Sequence, residues 1–139
     1  MRQATEILRV TTHGKGLYEF TRPVLDWVGR QRMQEGLLSL HCRHTSASLL
    51  VQENADPDVQ RDLGTFFETI APEDPRRYRH DTEGPDDMPA HIRTALTQTS
   101  LSVPLIGGRL MLGTWQGIYL FEHRREGSTR EVAAHLLGD

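Results

Sequence analysis

The stretch from His80 to His91, HDTEGPDDMPAH, places two histidines and four carboxylates within twelve residues. Imidazole and carboxylate are the side chains that hold divalent metals or move protons near neutral pH. Two further polar groups lie far off in the sequence. His44-Thr45-Ser46 follows a short apolar run, and Glu122-His123-Arg124 ends another. Together the three read as one site gathered from distant parts of a small domain. A plain solvated loop is the competing reading for 80–91, because acidic, proline-bearing stretches commonly do nothing else.

Each group carries its own alternatives. With a helix over 88–98, His91 lies one turn beyond Asp87 on the same side, and Asp86 or Asp87 caps the first turn. His80 reaches that place only if the Gly84-Pro85 loop folds back. The spacing between His80 and His91 is no named zinc signature. His44 ends a strand face made of Leu38, Leu40 and Cys42, so it is either a core-edge residue or a ligand facing a cleft. His41 falls on the opposite face and is expected in solvent. Thr45, Ser46 and Ser48 offer hydroxyls for phosphate, or else serve the turn and the sheet. Glu53 is either a carboxylate of the site or a solvated strand end. Alternation with period two puts Glu122 and His123 on opposite faces, so only one of them is expected to point inward.

Those clusters sit in a chain that bounds the answer. At 139 residues and 15.8 kDa it suits one domain, residues 1–139, with one real core. A chain near this size buries roughly 68–70% of its extended surface on folding. Nineteen acids against sixteen bases give a net charge of −3, and Lys15 is the only lysine. That balance argues against a nucleic-acid module, while local arginines keep a small phosphorylated ligand open. No apolar run approaches the ~20 residues of a membrane helix, and nothing near the N-terminus resembles a secretory leader. A single cysteine, Cys42, permits no internal disulfide, which points to the cytoplasm. Its spacing makes it a small buried hydrophobe rather than a nucleophile.

The elements that must position the clusters read as strands with three helices inserted. Strands are expected at 4–12, 37–44, 47–52, 101–106, 109–112, 115–123 and 130–137. The first helix, 22–34, takes Thr21 as its cap and Gly36 as its stop. Asp56-Pro57 is a strong start for the second, with Val59, Leu63, Phe66, Phe67 and Ile70 at helical spacing as far as Pro72. Gly107-Gly108 is the clearest hairpin signal. This is an α+β class chain: mostly antiparallel β, a sandwich-like single domain with two or three helices.

The strings HTSASLLVQENADPDVQRDL (44–63), YRHDTEGPDDMPAHI (78–92) and TSLSVPLIGGRLMLGTWQGIYLFEHR (99–124) resemble the YjbQ family of small proteins. Members of that family are also described as secondary thiamine-phosphate synthases. The resemblance covers nearly the whole chain, from Gly16 to Val132. It implies a compact sandwich-like fold, a homotrimer and a histidine-lined cleft that carries a metal or anion. It also implies the joining of an aminopyrimidine pyrophosphate to a thiazole phosphate with release of pyrophosphate. The polar clusters and the resemblance together give the expected roles. His44, His80 and His91 hold a divalent metal, zinc or magnesium. Glu53, Asp87 and His123 serve catalysis, orienting an imidazole or relaying a proton. Ser46, Ser48 and Arg124 bind the phosphorylated molecule, with Arg130 as a second cation. A metal-dependent hydrolase or phosphatase, and a non-catalytic ligand-binding trimer, are the alternatives.

Overall fold

The computed structural model describes all residues from Met1 to Asp139. In chain order the elements are β1 (Arg2–Thr11), β2 (Gly16–Glu19), α1 (Thr21–Gln31), β3 (Gly36–Cys42), β4 (Ala47–Glu53), α2 (Pro57–Ile70), α3 (Asp87–Leu96), β5 (Ser100–Ile106), β6 (Arg109–Leu110), β7 (Gln116–Glu122) and β8 (Thr129–Gly138). A single 3-10 turn, Pro75–Arg77, interrupts the loop between α2 and α3. Two antiparallel sheets result, a five-stranded one ordered β1-β8-β3-β5-β6 and a three-stranded one ordered β2-β7-β4. This is the single α+β domain expected from the alternation of apolar residues. None of the helices is long and apolar enough to cross a membrane.

The core lies between the inner faces of the sheets. Leu38, Leu40 and Cys42 of β3 and Val132, Ala134 and Leu136 of β8 face Ala47 and Leu49 of β4 and Ile118 and Leu120 of β7. Helix α1 adds Val24, Trp27 and Val28 to the same core. The second face of the small sheet is also covered. Phe67 of α2 meets Phe121 edge-on at 5.2 Å, and α3 lies against β4. Cys42 is buried, and burial pushes its thiol upward, as befits a packing residue.

Local signals explain most boundaries. The Asp56 carboxylate caps α2 by accepting from the Asp58 amide at 2.9 Å, with Pro57 in the first turn. Gly107 and Gly108 both have positive φ, 58° and 76°, as the tight β5–β6 hairpin requires. The start and end of α1 differ from expectation. Thr21 is its first residue rather than its cap, because the hydroxyl accepts from the Ile118 amide of β7 instead. The helix ends at Gln31, and the next residue, Arg32, takes the left-handed conformation (φ 55°). Gly36 therefore opens β3 rather than stopping α1. Strand β2 was not expected at all, since four residues are too few to show a period.

Gly36 is required where it stands. A Cβ added there would lie 2.4 Å from the Leu137 carbonyl oxygen, where β3 and β8 cross at Gly36 and Gly138. Gly36→Ala is expected to cost about 1–3 kcal/mol by forced overpacking. Urea denaturation of the two proteins checks it, and an unchanged midpoint would refute the close approach.

Candidate functional site

The loop from α2 folds back at Gly84 (φ 99°) and delivers His80 to the first turn of α3. His80 Nε2 comes to 2.7 Å from Asp87 Oδ2, and His91 Nε2, one turn along the helix, to 3.1 Å from the same oxygen. Glu83 Oε2 lies 3.4 Å from His80 Nε2. One ligand atom from each of His80, Glu83, Asp87 and His91 falls within 4.8 Å of all the others. Asp87 forms the buried floor, His80 and Glu83 face solvent, and His91 is half-buried. The cluster is thus closed beneath and open above.

His91 is oriented from outside the cluster. Its Nδ1 lies 2.9 Å from the Thr45 carbonyl, which can only accept, so Nδ1 carries the hydrogen. That leaves Nε2, which faces Asp87 Oδ2 at 3.1 Å, as the nitrogen that could bind an ion in place of a proton. Fixing the tautomer through the distal nitrogen is how proteins prepare an imidazole to bind a metal. Burial pushes the Asp87 carboxyl up, but the His80 hydrogen bond and the charges of His91 and Arg124 outweigh it and hold the group below the usual range. The Asp87 carboxylate in turn raises His80 above the ordinary histidine value.

Arg124 closes the site from below. Its Nε donates to Asp86 Oδ2 (2.9 Å), its Nη1 to Asp87 Oδ1 (2.6 Å) and its Nη2 to the Glu83 carbonyl (2.7 Å). Asp86 also accepts from the Arg125 amide at 2.9 Å. Three of the five N–H donors of Arg124 are engaged by these partners, and its charge is matched by Asp86 and Asp87. The expected phosphate-binding residue thus stands beneath the cluster, holding its carboxylates.

His44 is not brought to the cluster. Its Nε2 accepts from the Glu131 amide at 2.8 Å and its Nδ1 faces Arg130 Nη1 at 3.3 Å. Burial and the Arg130 charge hold its pKa below the ordinary value. A nitrogen that accepts from the backbone has no lone pair left for a metal, so the ligand role assigned to His44 does not hold. Ser46 Oγ accepts from Arg130 Nη2 (3.0 Å), which makes it a turn residue rather than a phosphate contact. Ser48 is fully buried, paired with His123 Nε2 at 2.9 Å and accepting from Thr97 Oγ1 at 2.6 Å. Glu53 Oε2 accepts from the amides of Ala55 and Asp56 (3.1 and 3.0 Å) and shapes the entry to α2, apart from the cluster.

Glu122 and His123 are both buried, against the expectation that only one would be. Alternation does put them on opposite faces, but both faces of the small sheet are covered. Glu122 sits between the sheets and accepts from Thr12 Oγ1 (2.6 Å), from Arg130 Nε (2.8 Å) and Nη2, and from the His123 and Arg124 amides (3.1 and 3.2 Å). His123 lies on the other face, its ring 4.3 Å from Phe121 and its Nδ1 without a partner. Burial, with help from the charges of Arg93, Arg130 and Lys15, lowers its pKa to about 3. The expected catalytic residue is thus buried at 1% exposure and lies apart from the open cluster.

Fold and cluster together define a small α+β sandwich protein with one open histidine–carboxylate site. A family model described as UPF0047 protein YjbQ-like matches residues 6–139. The UPF0047 protein of Synechocystis is 54% identical over 138 residues, covering 99% of this chain and 94% of its own length. The UPF0047 protein YjbQ of Escherichia coli O157:H7 is 43% identical over 133 residues, covering 95% and 96%. A crystal structure of a YjbQ/UPF0047 family protein from Clostridium acetobutylicum superposes with a TM-score of 0.87 at 31% identity, over 95% of this chain and 99% of that one. The chain belongs to the YjbQ/UPF0047 family, which these comparisons leave without an assigned activity.

The depressed pKa of His123 has a measurable consequence. The unfolded histidine takes a proton near pH 6.5, the folded one only near 3, so the unfolded state binds more protons between them. Stability must therefore fall as pH is lowered through that window, by up to about 1.4 kcal/mol per pH unit. His80, raised in the fold, contributes with the opposite sign. Urea midpoints measured from about pH 7 to about pH 5 in the wild type and His123→Gln isolate the effect. An identical slope in both proteins would refute it.

Proposed function

We propose that this protein is a divalent-metal enzyme acting on a small phosphorylated molecule, with His80, Asp87 and His91 as ligands and Glu83 at the open side. The observation that carries the reading is the convergence of His80 Nε2 and His91 Nε2 on one oxygen of a buried aspartate, at 2.7 and 3.1 Å. Two imidazoles favour zinc or a similar transition ion over magnesium, which prefers oxygen ligands and retains its waters. When bound, such an ion supplies the positive charge that a departing phosphate or pyrophosphate needs.

The chain's own residues do the rest. Asp87 holds the two imidazoles in register, and the Thr45 carbonyl keeps His91 in the ligand tautomer. Glu83, with a side chain 63% exposed, stands at the open side, where it would take a proton when water is the attacking group; a thiazole ring nitrogen attacks with its own lone pair and has no proton to give. The family resemblance favours an aminopyrimidine pyrophosphate and a thiazole phosphate as the substrate pair, giving thiamine phosphate. The exposure of Glu83 favours a second reading, hydrolysis, in which water is the attacking group. Self-association belongs on the outer face of the five-stranded sheet, where Leu37 and Leu137 stand exposed side by side.

Purified wild type is expected to retain stoichiometric zinc after dialysis, measured by atomic emission, and His91→Ala to lose it together with turnover. Pyrophosphate release only when both thiamine precursors are present supports the synthase reading. Release without the thiazole phosphate supports hydrolysis. Unchanged metal content and turnover in His91→Ala would sink the proposal.

A further inference from the structure

We infer that Arg124 is a positioning residue for this centre: its guanidinium captures one oxygen of Asp87 so that the carboxylate offers the cluster only the other. The inference rests on the metal reading above and deepens it. A carboxylate beside a divalent ion can bind through one oxygen or chelate through both, and the choice sets how many positions stay open for substrate. Here Asp87 Oδ1 accepts from Arg124 Nη1 at 2.6 Å, while Oδ2 alone faces His80 and His91.

The guanidinium is itself held in place. Its other two bonds run to Asp86 Oδ2 and the Glu83 carbonyl, at 2.9 and 2.7 Å. One planar group therefore fixes the aspartate ligand, the residue before it and the backbone that carries Glu83. From behind, the Arg124 amide donates to buried Glu122 Oε2 at 3.2 Å, which anchors the residue to β7. A lysine at this position would keep the charge, but its ammonium lacks the planar fork that meets three acceptors at once. The geometry thus assigns Arg124 to coordination number and ligand direction, not to the substrate phosphate that its charge suggested in the sequence.

The test uses cobalt(II), whose visible absorption reports coordination number, on the full chain with circular dichroism as a check on folding. Wild type is expected to bind cobalt with the intense bands of a four-coordinate ion. Arg124→Lys should bind it about 10–100-fold more weakly, with weak bands of higher coordination as both Asp87 oxygens engage. Asp86→Asn removes one of the guanidinium's partners without touching a ligand. It should move affinity and spectrum the same way by less, and it carries the test if Arg124→Lys does not fold. A folded Arg124→Lys with wild-type affinity and spectrum would overturn the inference, as would a wild-type spectrum in Asp86→Asn where that variant alone folds. Absence of cobalt binding in wild type overturns the metal reading itself, which is a distinct result.

Discussion

The Glu122 carboxylate, buried between the sheets and fully bonded, is the constraint from which the rest of the site hangs. A carboxylate with no solvent contact is costly unless its lone pairs are used. Here they are used by Arg130, by Thr12 and by two successive backbone amides. Those partners lead in two directions. The Arg124 amide fixes the residue whose guanidinium clamps Asp86 and Asp87. Arg130 reaches past Glu122 to Ser46, at both its carbonyl (3.2 Å) and its hydroxyl (3.0 Å), and so fixes the turn whose Thr45 carbonyl orients His91. Both walls of the cluster are therefore referred to one buried charge on β7.

That arrangement decides the electrostatics above it. Three arginines that flank the cluster from below are already paired: Arg124 with Asp86 and Asp87, Arg125 with Glu73, Arg130 with Glu122. Their charge holds carboxylates ionised rather than attracting a ligand. Burial pushes Asp86 up, yet the Arg125 amide and the Arg124 guanidinium bring it below the usual range. The result is an acidic cluster stabilised from beneath by paired arginines. A bound ion would add positive charge over that acidic cluster for an anionic substrate, so the metal and phosphate readings stand together and not as rivals.

Much of the fold was legible because its signals are local. Alternating apolar residues gave β3, β4, β5, β7 and β8 to within a few residues, Asp56-Pro57 gave α2, and the paired glycines gave the hairpin. The grouping of His80 and Asp87 with His91 was legible because it needs only one helical turn and one folded-back loop. Glu83 is one of the four carboxylates of the 80–91 stretch, and its spacing alone does not single it out as a ligand. What could not be read was partnership across the fold. Ser46, Ser48, Glu53 and Arg124 have the right types for phosphate or proton chemistry, and each is consumed by a neighbour remote in sequence or by its own loop. Nor does period two reveal that a sheet is covered on both faces, so the double burial of Glu122 and His123 required the layers to be seen.

The histidines make the same point through one side chain in several roles, sorted by which ring nitrogen is already used. His123 is sealed under α3 beside Phe121 and the buried Arg93, where a proton is expelled and the neutral ring packs. His44 spends Nε2 on the Glu131 amide and becomes a latch between the β3–β4 turn and β8. His41, on the open face of the large sheet, pairs with Ser100 at 2.6 Å. Only His80 and His91 converge on a carboxylate oxygen with a nitrogen not committed to the backbone. Chemistry at this site is thus set less by where imidazoles occur than by where the fold leaves a lone pair free, and Asp87, gripped by Arg124 on one oxygen and facing both rings with the other, marks that place.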